Sequence, residues 1–131
     1  MTLMYLDSSA IVKLVVAEHE SDALRSGLGP DIASSALARI EVVRAVRRSE
    51  GDRLTPAAEA VLEALDLVAV DAGILRAAAV FDPPSVRTLD AIHLATAAEF
   101  GNDLEVLITY DERMAVAASD AGFDTWAPAP P

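Results

Sequence analysis

Residues 3–16 read LMYLDSSAIVKLVV, and Asp7 is the only acid in that apolar and small-residue run. The alternation rules predict a short buried strand over residues 2–6. Asp7 or Ser8 then caps a helix that runs through about Glu18. A strand that passes directly into a helix is the unit of a parallel α/β sheet, and the rest of the chain repeats it.

Outward from that stretch, residues 21–27 predict a short helix broken by Gly27-Leu28-Gly29-Pro30, and DIASS at 31–35 a second brief strand. Ser34 or Ser35 is expected to cap a long helix that ends near Gly51. Thr55-Pro56 offers a capping hydroxyl with proline at the first helical position, for a helix to about Leu65. LVAV at 67–70 reads as a strand, and Asp71 caps a helix that reaches Phe81 and is stopped by Pro83-Pro84. Thr88 opens another helix closing at Gly101, and EVLITY at 105–110 is the clearest strand. Asp111 caps a helix to about Ala121, and a last strand lies near 124–127. The expected fold is one α/β domain over residues 1–131, a mostly parallel central sheet flanked by helices, with no internal repeat or linker.

Composition narrows the function classes. With 53% hydrophobic residues but only 5% aromatics, and 26 alanines, the core must be aliphatic and its helices closely packed. The chain has no cysteine, which removes disulfides and thiolate metal sites and suits a reducing compartment. No secretory leader pattern and no apolar run near the ~20 residues of a membrane helix is visible, so a soluble, cytoplasmic protein is expected. A net charge of −11 opposes a general phosphate-coating surface. The arginines are uneven, however: Arg39, Arg44, Arg47, Arg48 and Arg53 fall close together.

Four acids need a reason. Asp7 and Asp111 each follow a predicted strand, which places both at the same edge of a parallel sheet, where such folds build their sites. Asp90 shares its helical face with Leu94 and Ala97, at the margin of an apolar stripe. Glu41 lies in mid-helix by this reading, beyond the reach of capping or of the helix dipole. As the plainer alternatives, Asp7 and Asp111 serve as N-caps, Asp90 only complements the helix dipole from the first turn, and Glu41 pairs with Arg44 one turn on. Carboxylates gathered in one pocket repel one another and resist desolvation unless a cation joins them. Oxygen donors without cysteine suit a hard ion such as Mg2+ or Mn2+, which can activate water for phosphodiester hydrolysis. Arg39, Arg47 and Arg53 read as a solvated face. Arg44 and Arg48 share the face of Glu41 and are candidates for contact with an RNA phosphate or a partner's carboxylate. His93 reads as a packed or capping histidine in preference to half of an Asp90–His93 acid–base pair.

LDSSAIVKL at 6–14, Glu41, LDAIHLATA at 89–97 and LITYDERMAVAA at 107–118 together resemble the PIN-domain ribonucleases, and among them the VapC-type toxins of toxin–antitoxin pairs. The resemblance covers essentially the entire chain. It implies metal ligation, direct or through water, by Asp7, Glu41, Asp90 and Asp111, with Ser8 and Thr109 as supporting hydroxyls. It further implies Mg2+- or Mn2+-dependent endonucleolytic cleavage of RNA, a homodimer, and silencing by a small VapB-type antitoxin whose C-terminal segment lies across the site. Two other classes compete: a catalytically inactive PIN-like interaction module, and a phosphoacceptor receiver domain. The receiver reading lacks adjacent acids after the first strand, and Lys13 is the only lysine.

Overall fold

The computed structural model describes residues 3–131. Five strands, β1 (Leu3–Leu6), β2 (Asp31–Ser35), β3 (Asp66–Val68), β4 (Leu104–Ile108) and β5 (Thr125–Trp126), form one sheet in the order β3-β2-β1-β4-β5. Every neighbouring pair is parallel. Seven helices connect and cover them: α1 (Ser8–Val15), α2 (Ser21–Gly27), α3 (Ala38–Glu50), α4 (Thr55–Glu63), α5 (Ala72–Ala79), α6 (Thr88–Ala98) and α7 (Glu112–Asp120).

Successive strand residues point to opposite faces, and the core divides accordingly. Leu6 and Ile108 pack with Ala10, Ile11, Leu24, Val42, Val46 and Leu62, so α1 to α4 cover one face. Tyr5 and Leu107 pack with Leu94, Ala97, Met114 and Ala118, so α6 and α7 cover the other. Because Ala91 through Ala97 are all buried, α6 is enclosed nearly all round. Strand order reverses between β1 and β4, the point where an open parallel sheet leaves a crevice at its carboxyl edge. The backbone N–H of Asp7 reaches across it to the Ile108 carbonyl at 3.2 Å.

The expected alternation of strands and helices holds, with corrected ends. The first strand begins at Leu3, Thr2 lying outside the described residues, and its helix stops at Val15, short of Glu18. The third strand is Asp66–Val68 instead of 67–70, and the last is only Thr125–Trp126. Neither serine caps α3: Ser34 Oγ is buried without a hydrogen-bond partner, and Ser35 Oγ accepts the Leu37 N–H at 3.1 Å inside a turn that delays the helix to Ala38. Glu41 therefore lies in the first turn of α3, where the N-terminal dipole does reach it. At Thr55 the helix starts as read, but the hydroxyl is buried without a partner and does not cap it. The helix from Thr88 ends at Ala98, and Gly101, with φ of 53°, opens a short 3-10 turn before β4.

Candidate active site

Asp7 leaves β1 at the sheet edge and is only 5% exposed. Its Oδ1 accepts from Ser9 Oγ at 2.6 Å and from the Ala10 N–H at 3.1 Å, and its Oδ2 accepts from Thr109 Oγ1 at 2.5 Å. Asp7 is thus both the N-cap of α1 and a buried carboxylate held from two sides. Burial pushes its carboxyl above the ordinary range, against the opposing pull of the Ser9 and Thr109 hydroxyls and the nearby His93.

Thr109 joins the two strand ends. Besides donating to Asp7, its Oγ1 accepts the Asp111 N–H at 3.1 Å. Asp111 in turn caps α7, its Oδ1 accepting from the N–H groups of Arg113 and Met114 at 2.9 and 3.1 Å. The capping role read from the sequence is real for Asp7 and Asp111, yet it occupies only part of each carboxylate. Between them, Tyr110 turns away: its N–H donates to Ser9 Oγ, its hydroxyl donates to the Pro128 carbonyl at 2.7 Å, and Lys13 lies over its ring.

Glu41 is held from the opposite side of the crevice. Its Oε1 accepts from Ser8 Oγ at 2.6 Å and lies 2.7 Å from His93 Nε2. On the other ring nitrogen, Nδ1 of His93 stands 2.7 Å from the Tyr5 hydroxyl. Burial raises the Tyr5 phenol well above its usual value, so it keeps its proton and donates to Nδ1. The ring hydrogen then sits on Nε2 and is directed at Glu41. Burial acts to raise the Glu41 carboxyl, but the His93 and Ser8 hydrogen bonds outweigh it and leave the group below the usual range. The alternative pairing with Arg44 does not form, since Arg44 is exposed and has no acid within salt-bridge distance among the described residues.

Asp90, on the first turn of α6, completes the group. Its carboxyl is raised first by burial and then by the negative charges of Asp111, Asp7 and Glu41, with His93 pulling the other way. Four acids from four separate stretches of chain therefore share one electrostatic field. Among the described residues none of them pairs with a lysine or arginine. Nor do three acid or histidine side chains form a ready-made cage for a cation among those residues. An all-carboxylate set without a basic partner fits a hard divalent ion.

Ser8 and Thr109 both enter the site, but on different acids: Ser8 serves Glu41, and Ser9, which sequence reasoning passed over, joins Thr109 on Asp7. Tyr5 and the exact role of His93 were also missed. His93 is a packed histidine, as read, and in addition it orients a carboxylate. Arg39, Arg47 and Arg53 are exposed and pair with Glu63, Asp52 and Glu50. Arg48, like Arg44, is exposed without an acidic partner among the described residues.

The sequence matches the PIN domain family over residues 4–119. The chain belongs to that family, in its VapC branch. Ribonuclease VapC46 of Mycobacterium tuberculosis strain H37Rv is 51% identical over 131 residues, covering 98% of this chain and 99% of that one. Among solved structures, Mycobacterium tuberculosis VapC20, a Sarcin-Ricin loop cleaving toxin, matches with a TM-score of 0.77 at 19% identity, over 95% of this chain and 99% of that chain. A toxin-antitoxin complex from Klebsiella pneumoniae matches with a TM-score of 0.63 at 23% identity, covering 82% and 86%. These two share the fold. Membership of the PIN family removes the receiver-domain alternative.

Proposed function

We propose that this chain is the toxin of a toxin–antitoxin pair, an endoribonuclease that uses Mg2+ or Mn2+. The observation that carries the reading is the shared field of Asp7, Glu41, Asp90 and Asp111 at the sheet's switch point, none of them in a salt bridge with a lysine or arginine among the described residues. A VapC-named ribonuclease at 51% identity over nearly the full length supports the same activity.

A hard dication bound among these acids would polarise the scissile phosphate and make an attacking water more acidic. The chain's own groups do the rest. Asp90 and Asp111, at the rim, would hold the ion through carboxylate oxygens and orient the attacking water. Asp7 is locked by Ser9, Ala10 and Thr109, so it cannot swing away when substrate arrives. Glu41, fixed by Ser8 and by the Tyr5–His93 chain, remains ionised at neutral pH. Preorganised charge of this kind costs no reorganisation at the moment of reaction.

An antitoxin partner follows from the same reading and is supported by the toxin-antitoxin complex of the same fold; a basic C-terminal segment laid across the acids would complement them. Arg44 and Arg48, exposed on the α3 face beyond Glu41, are available to RNA or to that partner. A homodimer would cover apolar side chains left exposed on and near α3, α5 and α6, among them Ile40, Leu75, Val80 and Leu89. No helix among the described residues is long and apolar enough to cross a membrane.

Cleavage of a fluorogenic mixed-sequence RNA tests the activity. The wild type is expected to cut only with Mg2+ or Mn2+, to stop with EDTA, and to lose at least about a hundredfold in kcat on Asp7→Asn or Asp90→Asn. Variants that cut as well as wild type would refute the assignment.

A further inference from the structure

Beside Asp90, a groove of about 560 Å3 runs between the α5–α6 connection and α7. Its volume falls within the ~300–1,000 Å3 of sites that take small molecules. Arg87, three residues before Asp90, and Arg113, two residues after Asp111, both line this groove together with Asp90. Both are exposed, and neither has an acid within salt-bridge distance among the described residues. Arg44, Arg48 and Arg76 are likewise without an acidic partner among the described residues, but of the unpaired arginines only Arg87 and Arg113 line this groove.

The groove is also graded along its length. Arg113, Val116, Ala117 and Asp120 line it from one face of α7, at the i, i+3, i+4 and i+7 spacing of a helical stripe. Asp120 lies seven residues, or about 10 Å, along the axis from Arg113. Glu112, also on the lining, precedes Arg113 at the start of the helix. Arg87 and Arg113 therefore share their end of the groove with Asp90 and Glu112, an apolar floor of Val86, Val116 and Ala117 follows, and Asp120 stands at the far end with no basic residue beside it on the lining. A polyanion running the length of the groove would meet Asp120. A single nucleotide with its phosphate at the arginines and its base over the apolar floor would not.

We infer that this groove is a substrate subsite: it holds one ribonucleotide beside the cleaved bond, its phosphate gripped by Arg87 and Arg113. The inference rests on the nuclease reading above and adds to it two positioning residues. Guanidiniums suit the task because they grip phosphate oxygens bidentately. They hold a neighbouring phosphate and leave the reacting one to the acids, so they act on substrate binding more than on the chemical step.

The test uses the full-length protein in two assays. In EDTA, where no cleavage occurs, fluorescence anisotropy follows binding of a labelled single-stranded oligoribonucleotide as salt is raised; with Mn2+, steady-state cleavage separates KM from kcat. Arg87→Ala and Arg113→Ala should each weaken binding and raise KM about tenfold, with kcat within about twofold. Each should also reduce the slope of log affinity against log salt by about 0.7, and the double variant by about 1.4. Arg47→Ala, which removes a remote surface charge paired with Asp52, should leave KM and slope at wild-type values.

A double variant with wild-type KM and slope overturns the inference; that is also the result if the arginines serve a protein partner instead of RNA. If the wild type binds RNA through these arginines yet cuts nothing with either metal, the nuclease reading fails and the nucleotide subsite stands.

Discussion

At the scale of single residues, the proposed site is four carboxylates that would be better separated were nothing to join them. Asp90 shows this most directly, since burial and the charges of Asp111, Asp7 and Glu41 all raise its carboxyl. A carboxyl raised on folding favours the native state fully only below its unfolded pKa of about 3.9, and that contribution is lost as pH rises through the folded value. In metal-free protein, the Tm of Asp90→Asn relative to wild type should therefore climb between about pH 4 and neutrality, where the wild-type charge is present. Calorimetry in EDTA measures it; a Tm difference that is flat or falls with pH would show that Asp90 does not feel the other acids. Asp7 and Asp111 were legible in the sequence because each sits where a strand becomes a helix. The Tyr5–His93–Glu41 chain was not, because its members lie 88 and 52 positions apart: periodicity buries a side chain without naming its partner.

At the scale of elements, the alternation of strand and helix was readable from start to end, while the boundaries that depend on hydrogen bonding were not. The two-residue turn at Ala36-Leu37 cost the reading its helix cap and misplaced Glu41 in mid-helix. Serine preferences alone do not say whether a hydroxyl will cap a helix or close a turn, as Ser35 does. The contact of α2 with β5 was equally invisible. A Cβ on Gly27 would overlap Cη2 and Cζ3 of the Trp126 ring. Alanine gains up to about 1 kcal/mol over glycine in a helix, but its Cβ would force the half-buried Trp126 ring aside and expose more of it, so Gly27→Ala should be slightly destabilising. Trp126 is the only tryptophan, so the displacement should also shift the protein's emission to longer wavelength. In a Trp126→Ala background the same substitution should become neutral or stabilising. Unchanged emission with a higher Tm would show that β5 does not need the glycine.

At the scale of the whole molecule, the order β3-β2-β1-β4-β5 gathers the site. Asp7 and Asp111 come from the two strands on either side of the switch point, and α3 and α6 bring Glu41 and Asp90 to the same edge. The sequence implied that edge but not which strands adjoin there, since strand order depends on packing between segments about a hundred residues apart. The net charge, which seemed to oppose a nucleic-acid substrate, is consistent with one if a cation bridges the acids and the phosphate. Calorimetric titration of the metal-free full-length protein with Mn2+ measures binding of the cation to the acids without depending on any RNA. The wild type should bind Mn2+ saturably, and Asp7→Asn and Asp90→Asn should each weaken binding by at least about tenfold. A wild type that takes up no Mn2+, or variants that bind it equally well, would contradict the account.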